Sequence, residues 1–229
     1  MERRRLLPTY ERKDDLVPLI RKHQVVVVSG ETGCGKTTQL PQIVLDDLIE
    51  RGEGGRCNMV CTQPRRISAI GVAERVATER CEPIGKTVGY QIRLESKSSK
   101  ETRLLFCTTG ILLRRLQCDS NLEGVSHIFV DEVHERDLNT DFLLIILRDV
   151  LPKRPHLKLV LMSATLNAAL FADYFGSCPT REIPGRQFPV REHYLEDVLE
   201  LTGHVVDHSS EYAVGGGGGK GGGGGKGGG

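Results

Sequence analysis

Short apolar runs alternate with amphipathic stretches from residue 24 to about residue 175. The runs are rich in β-branched residues, which predicts buried parallel strands, and the stretches between them have the apolar spacing of helices. Strands are predicted at Val25–Val28, Cys57–Thr62, Val88–Ile92, Leu104–Thr108, His127–Val130 and Leu157–Met162. Helices are predicted at Lys36–Glu50, Arg65–Cys81, Gly110–Gln117, Asn139–Leu151 and Ala168–Phe175.

This alternation predicts an α/β fold, a mostly parallel sheet with helices on both faces and ligands beyond the carboxyl ends of the strands. Thr180–Ile183 and Val190–Tyr194 are candidates for one or two further strands. We interpret Ser96–Lys100 as an exposed polar loop, and Asp197–Tyr212, which has no clean period, as a trailing segment.

Composition narrows the class of protein. The last 15 residues, Gly215–Gly229, are glycine apart from two lysines, which predicts a flexible tail without a core. The formal net charge is +1, and because the tail carries two positive charges the rest of the chain carries −1. Net charge is therefore no argument for nucleic-acid binding.

The cysteines and the apolar runs bear on location. The sequence has seven scattered cysteines without a Cys-x-x-Cys pair, and it has no long apolar run. We therefore predict a soluble, intracellular protein of the cytoplasm or nucleus, without a membrane partner.

A phosphate-binding loop follows the first predicted strand. Residues 30–37 read Gly-Glu-Thr-Gly-Cys-Gly-Lys-Thr, the pattern G-x-x-x-x-G-K-[ST], and a predicted helix comes directly after them. In such a loop, backbone N–H groups surround the phosphates at the positive end of the helix. Lys36 is expected to reach the β- and γ-phosphates, and the Thr37 hydroxyl is expected to hold Mg²⁺. The sequence therefore predicts a site for a nucleoside triphosphate.

A second polar group follows a later strand. Asp131 and Glu132 come directly after the apolar run Ile128–Val130. We expect them to reach the loop from a neighbouring strand, with Asp131 holding Mg²⁺ and Glu132 deprotonating the attacking water. Ser163-Ala164-Thr165 ends another predicted strand, and we interpret it as a coupling element that touches His134.

These motifs, in this order, resemble the DEAH/DExH-box branch of superfamily two RNA helicases. Residues 30–38 resemble motif I, 62–69 motif Ia, 108–112 motif Ib, 131–137 motif II and 163–165 motif III. Val133 and Thr109 are more similar to the branch with the maleless-type and quadruplex-resolving helicases than to the splicing-type members. The resemblance implies a RecA-like domain that uses ATP and Mg²⁺ and acts on single-stranded or structured RNA, in the 3′ to 5′ direction.

The resemblance also implies roles for individual residues. RNA backbone contacts fall on Arg65, Arg66, Thr108 and Thr109, and a contact to the base of the nucleotide falls on Arg75. The loop residues expected to bind ATP are Gly30, Glu31, Thr32, Gly33, Cys34, Gly35, Lys36, Thr37 and Thr38. The catalytic residues are Lys36, Asp131 and Glu132, the residues around the metal are Thr37, Asp131 and Glu132, and the coupling residues are His134, Ser163 and Thr165.

We divide the chain into a lead-in helical arm (1–23), an ATP-binding domain (24–195), a trailing segment (196–214) and the Gly/Lys tail (215–229). Members of the family have a second RecA-like domain with a glutamine- and arginine-rich motif, and this sequence contains no such motif. We therefore expect the first half of a helicase motor, poorly active alone. Two alternatives stay open, an RNA-binding or scaffolding module without motor activity and a DNA-directed ATPase, and the oligomeric state is also open.

Overall fold

A computed structural model describes residues 2–164, 168–185 and 190–205. The chain divides into two compact units, residues 1–186 and 187–229. In the first unit, eight strands form one sheet: β1 (Val25–Gly30), β2 (Met59–Gln63), β3 (Val88–Ile92), β4 (Glu95–Lys97), β5 (Leu104–Thr108), β6 (His127–Val130), β7 (Lys158–Ser163) and β8 (Thr180–Ile183). Their order is β4-β3-β5-β2-β6-β7-β1-β8, and every pair is parallel except β3 with β4.

The helices of the first unit are α1 (Glu2–Arg5), α2 (Pro8–Glu11), α3 (Lys13–Lys22), α4 (Lys36–Glu50), α5 (Arg66–Glu79), α6 (Thr109–Cys118), α7 (Leu138–Val150) and α8 (Ala168–Tyr174). Short 3₁₀ turns lie at Val133–Glu135 and Leu151–Lys153. Residues of α3, α4 and α5 share one hydrophobic cluster, and residues of α6, α7 and α8 share the other. Helices therefore cover both faces of the sheet, and the predicted α/β fold class is confirmed.

Strand β1 shows why the sequence produces this arrangement. Val26 and Val28 belong to one cluster, whereas Val25 and Val27 belong to the other, because successive side chains of a strand point to opposite faces. A strand covered by helices on both sides needs apolar residues at every position, which explains its continuous valine run. The same rule applies to β7, where Val160 and Leu161 belong to opposite clusters.

The first candidate strand, Thr180–Ile183, forms β8, and the local structure differs from the expectation at three places. Strand β4 (Glu95–Lys97) overlaps the predicted polar loop Ser96–Lys100 at residues 96 and 97 and pairs antiparallel with β3, although its side chains are exposed as expected. In the second unit, Leu195–Thr202 forms helix α9, where the aperiodic trailing segment was expected, and the Asp197 carboxylate accepts the Tyr194 N–H (2.9 Å) at its start. Residues 190–194 are described and contain no strand, so the second candidate strand is absent there.

Candidate functional site

The polar motifs meet at one edge of the sheet because they follow the carboxyl ends of parallel strands. The loop after β1, Gln63 at the end of β2, Thr108 at the end of β5, Asp131 after β6 and Ser163 at the end of β7 all lie on this edge. One detail of the prediction was wrong: β6 is not the neighbour of β1, because β7 lies between them. Asp131 therefore reaches the loop across a gap of two strand spacings, about 10 Å.

The glycines shape the loop between β1 and α4. Gly33 and Gly35 have φ angles of +85° and +91°, a region that other residues adopt at a cost. A Cβ on Gly30 would lie 2.7 Å from the carbonyl oxygen of Ile183 in β8. The backbone thus turns back at residues 33 and 35, and at residue 30 it packs too closely against β8 for a side chain.

Lys36 begins helix α4 and is 7% exposed. Its ammonium donates to the carbonyl oxygens of Gly30 and Glu31, the latter at 3.0 Å. These carbonyls hold the ammonium against the loop, the part of the chain where phosphate oxygens are expected.

Thr37 and Asp131 form the centre of the site. The Thr37 hydroxyl donates to Asp131 Oδ2 at 2.6 Å. The Gln63 amide donates to the same oxygen at 2.7 Å, and the Glu132 N–H donates to Oδ1 at 2.9 Å. Asp131 is 2% exposed, so these three donors fix its carboxylate in one orientation. Gln63 was not predicted as a site residue.

The pKa values of both acids after β6, Asp131 and Glu132, are raised. Burial raises the pKa of Asp131 despite the hydrogen bonds from Thr37 and Gln63. Burial, and after it repulsion from Asp131, raises the pKa of Glu132. Glu132 also has a φ angle of +54°, in the left-handed region that is strained for a residue with a side chain. Perturbed acids in strained backbone are typical of functional sites.

His134 connects the turn after β6 to the end of β7. The Ala164 N–H donates to His134 Nδ1 at 3.1 Å, and His134 Nε2 lies 3.4 Å from Glu132 Oε2. Because Nδ1 is an acceptor, the neutral ring carries its proton on Nε2, on the side of Glu132. His134 therefore contacts the 163–165 segment, as expected, and Ala164 makes the contact. Ser163 is buried in β7, and Thr165 lies outside the described residues.

A cavity of about 440 Å³ lies beside the loop. Its lining brings together six of the predicted loop residues with Arg75 and Glu132: Thr32, Gly33, Gly35, Lys36, Thr37 and Thr38. Gly30, Glu31 and Cys34 are not part of the lining, and Cys34 is buried behind the loop. Leu7, Glu79 and Ala164 are the other described residues of the lining. Leu7 and Glu79 were not predicted as site residues, whereas Ala164 lies in the predicted coupling element 163–165.

The residues expected to contact RNA lie at the same edge but outside the cavity. Arg65 is exposed, and its guanidinium donates to Glu135 Oε1 at 3.0 Å. Arg66 begins helix α5 and is also exposed. Thr108 is half-buried, and Thr109 is only 4% exposed, so Thr109 offers little side-chain surface to a ligand. Their RNA contacts stay predictions.

Gln63, Glu79, Leu7 and Glu135 were not predicted as site residues, although Gln63 and Glu135 lie within the segments 62–69 and 131–137 that carry the resemblance. One of them had a readable signal, because Glu79 follows Arg75 by four residues on a helix, the spacing of an ion pair, and the two side chains are 2.7 Å apart. The partners of Gln63 and Glu135, and the packing of Leu7 against Gly35, depend on long-range contacts that no sequence period predicts.

Two negative findings apply to the described part of the chain. No group of three or more His, Cys, Asp or Glu side chains is placed to hold a metal ion among residues 2–164, 168–185 and 190–205. Within the same ranges, no helix has the length and apolar content needed to cross a bilayer.

Comparison with known proteins agrees with the motifs. The model of the DEAD/DEAH box helicase family matches residues 11–172. The chain is 62% identical over 201 residues to the DExH-box ATP-dependent RNA helicase DExH3 of Arabidopsis thaliana, and this match covers 88% of the chain and 17% of the relative. It is 59% identical over 212 residues to the putative ATP-dependent RNA helicase DHX57 of Homo sapiens, covering 93% of the chain and 15% of the relative.

A third relative, the ATP-dependent DNA/RNA helicase DHX36 of Homo sapiens, is 55% identical over 218 residues, which is 93% of the chain and 22% of the relative. The chain therefore spans less than a quarter of the length of each of these three relatives. The family match covers more than half of the chain and includes the loop, Asp131 and Glu132. This chain belongs to the DEAD/DEAH box helicase family.

Proposed function

We propose that this chain is the ATP-binding motor domain of an RNA helicase, a domain in which ATP hydrolysis drives translocation on RNA or its unwinding. The observation that carries the proposal is the 2.6 Å hydrogen bond between Thr37 and Asp131, which joins the phosphate-binding loop to the acidic pair. The relatives, whose names describe ATP-dependent RNA helicases, support the same activity.

The residues fit ATP with Mg²⁺. One buried carboxylate beside one hydroxyl suits an ion that keeps several waters and completes its coordination with phosphate oxygens. A dedicated protein cage of several acids would suit Ca²⁺ better, and the described residues contain no such cluster. When bound, Mg²⁺ would neutralise charge on the phosphates, and Thr37 and Asp131 would hold it.

Glu132 is proposed as the general base. It lines the cavity beside Lys36 and Thr37, and its raised pKa brings it nearer to the range in which a carboxylate accepts a proton effectively. Lys36 is proposed to transfer its hydrogen bonds from the loop carbonyls to the β- and γ-phosphates. The buried Asp131 keeps its orientation through Gln63 while Thr37 turns toward the metal.

RNA is proposed to bind across the strand ends that carry Arg65, Arg66, Thr108 and Thr109. Arginines and hydroxyls suit the sugar-phosphate backbone, and such contacts read no sequence. Movement in the 3′ to 5′ direction, and a second RecA-like domain that supplies an arginine to the cavity, belong to the same proposal. The free thiols of all seven cysteines support a reducing, intracellular setting.

Steady-state ATP hydrolysis tests the proposal. The chain is assayed alone, with single-stranded RNA and with single-stranded DNA of matched sequence, and each assay is repeated with Lys36→Ala. We expect ATP to bind and little turnover in any condition, because an arginine from a partner domain is worth about 10³- to 10⁵-fold in related phosphoryl-transfer enzymes. Stimulation by RNA that Lys36→Ala abolishes would show a motor that completes its own site, whereas failure to bind ATP would contradict the proposal.

The alternatives predict different results. Saturable RNA binding that neither ATP nor Lys36→Ala affects would favour an RNA-binding or scaffolding module. Hydrolysis stimulated by DNA and not by RNA would favour a DNA-directed ATPase. The printed name of one relative includes both DNA and RNA, which makes the matched DNA assay informative.

A further inference from the structure

Within the lead-in region 1–23, residues 4–9 contact the nucleotide site, and we call these six residues the N-terminal arm. They precede the segment that the family model matches, residues 11–172. The arm is attached directly to the phosphate-binding loop. The Thr9 hydroxyl and the Thr9 N–H both donate to the carbonyl oxygen of Cys34, at 2.8 and 3.1 Å. Thr9 is fully buried, so these hydrogen bonds are shielded from water and fix the arm against the loop.

Leu7 forms an apolar part of the cavity wall. A Cβ built on Gly35 would lie 3.2 Å from a methyl carbon of Leu7, so the leucine packs against the loop backbone. The other lining residues are glycines, polar or charged residues and Ala164. A purine base buries two apolar ring faces, and among the described residues of the lining Leu7 alone offers a large aliphatic surface for one of them.

Arg4 is linked to Arg75 by a chain of hydrogen bonds. Arg4 Nε donates to Gln39 Oε1 at 2.9 Å, and the Gln39 amide donates to Glu79 Oε2 at 2.8 Å. Glu79 Oε1 accepts from Arg75 Nε at 2.7 Å. Gln39 is fully buried and its amide orientation is fixed by donors and acceptors on both sides, since its NH₂ also donates to the Thr38 hydroxyl at 2.9 Å.

Glu79 is well suited to hold Arg75. Burial alone would raise its pKa, but hydrogen bonds from Gln39, Arg75 and Gln42 together lower it, so it stays a carboxylate. Arg75 itself is 60% exposed, and without Glu79 its long side chain would sample many rotamers. Holding it beforehand removes part of the entropy that ligand binding would otherwise cost.

We propose that the N-terminal arm forms the base side of the nucleotide site, with Leu7 as an apolar contact to the base and Arg4 as a positioning residue that acts on Arg75 through Gln39 and Glu79. The inference rests on the proposed ATP-binding function and names the part of ATP that the arm recognises. Because the phosphates are bound by the loop, the arm contributes to ATP binding and not to the binding of phosphates alone.

Titration calorimetry with two probes tests whether the N-terminal arm acts on the base or on the phosphates. ATP and inorganic tripolyphosphate are each titrated, in the presence of Mg²⁺, into the unmodified chain, Arg4→Ala and Glu79→Ala. Arg5→Ala is the matched control, because Arg5 carries the same charge one residue away and is exposed. A stacked arginine is worth about 0.5–2 kcal/mol, so Glu79→Ala should weaken ATP binding by about 3- to 30-fold and Arg4→Ala by about threefold or more. Tripolyphosphate binding should stay within about twofold in both variants.

Three further variants separate positioning from a loss of folding. Arg4→Ala combined with Glu79→Ala should bind ATP no more weakly than Glu79→Ala alone, because both act through Arg75. Leu7→Met should retain ATP affinity and Leu7→Ser should reduce it, since the base needs an apolar surface and not a particular shape.

Equal losses for ATP and tripolyphosphate in Arg4→Ala would overturn the inference, because the arm would then act on the whole loop. Unchanged ATP binding in both Arg4→Ala and Glu79→Ala would overturn it as well. If the unmodified chain bound tripolyphosphate and ATP equally, the base subsite would be absent. If it bound neither, the proposed function itself would fail.

Discussion

The Thr37 hydroxyl donates to Asp131 Oδ2 at 2.6 Å although the strands that precede these residues, β1 and β6, are not neighbours. Strand β7 lies between them and ends in Ser163, directly before Ala164. The arrangement places the Ala164 N–H where it can donate to His134, three residues after Asp131. The Thr37–Asp131 pair and the end of β7 are thus connected through the turn that carries Glu132 and His134.

The raised pKa of Glu132 predicts a pH-dependent change in stability. A carboxyl group with a folded pKa above its unfolded value of about 4.5 stabilises the fold at low pH and loses that contribution as pH rises through the folded pKa. Glu132→Gln should therefore raise the melting temperature at pH 8 in metal-free buffer. The increase should disappear near pH 4.5.

The exposed Glu11→Gln serves as the control for that experiment, since it removes the same charge at a position outside the acidic pair. An equal rise in melting temperature for Glu11→Gln, or a gain for Glu132→Gln that grows toward low pH, would contradict the assignment of Glu132 as a destabilised carboxylate.

The Arg65–Glu135 ion pair predicts that a carboxylate competes with RNA for Arg65. An exposed ion pair is worth about 0–1 kcal/mol, so Glu135→Gln should tighten RNA binding by up to about fivefold at low salt. Arg65→Ala should weaken binding and reduce the salt slope by about one. Fluorescence anisotropy over a salt series measures both effects, and weaker RNA binding by Glu135→Gln would show that the pair supports the RNA surface instead of competing with it.

The close packing of Gly30 predicts that alanine at two glycine positions has different effects on the stability of the fold. Gly30→Ala places a Cβ 2.7 Å from the Ile183 carbonyl oxygen and should destabilise the fold by about 1–3 kcal/mol. Gly110→Ala, at the second residue of α6 with no atom within 4 Å of the new Cβ, should be neutral or stabilising by up to about 1 kcal/mol. Urea denaturation compares them, and equal stabilities would mean that β8 does not pack against the loop as described.

His134→Ala leaves the Ala164 N–H without its acceptor and should cost about 1 kcal/mol or more of folding free energy. His156→Ala, at an exposed histidine, is the matched control and should stay within about 0.5 kcal/mol of the unmodified chain. Chemical denaturation measures the free energy of unfolding of both variants. Equal small effects would show that the His134–Ala164 hydrogen bond contributes nothing to the connection between β6 and β7.

The sequence predicted most of the sheet because its strands are covered on both sides and must be apolar throughout, as in Val25–Val28. It predicted Lys36, Thr37 and Asp131 because phosphate and metal chemistry restricts the residue types at fixed spacing. It did not predict strand order, so the position of β7 between β1 and β6 was missed. Leu7 and Gln63 were missed as site residues because an ordinary leucine and a strand-end glutamine gain their role only from long-range packing.

The central claim is that Lys36, Thr37 and Asp131 form one site for ATP and Mg²⁺. The most direct test is the affinity for ATP, measured by calorimetry with and without Mg²⁺, in the unmodified chain, Lys36→Ala and Thr37→Val. We predict that Mg²⁺ tightens ATP binding to the unmodified chain and that Thr37→Val loses most of this gain in affinity. Lys36→Ala should weaken ATP binding by about 100-fold through the loss of charge-assisted hydrogen bonds. ATP binding of the same strength in all three proteins, with or without Mg²⁺, would contradict the claim.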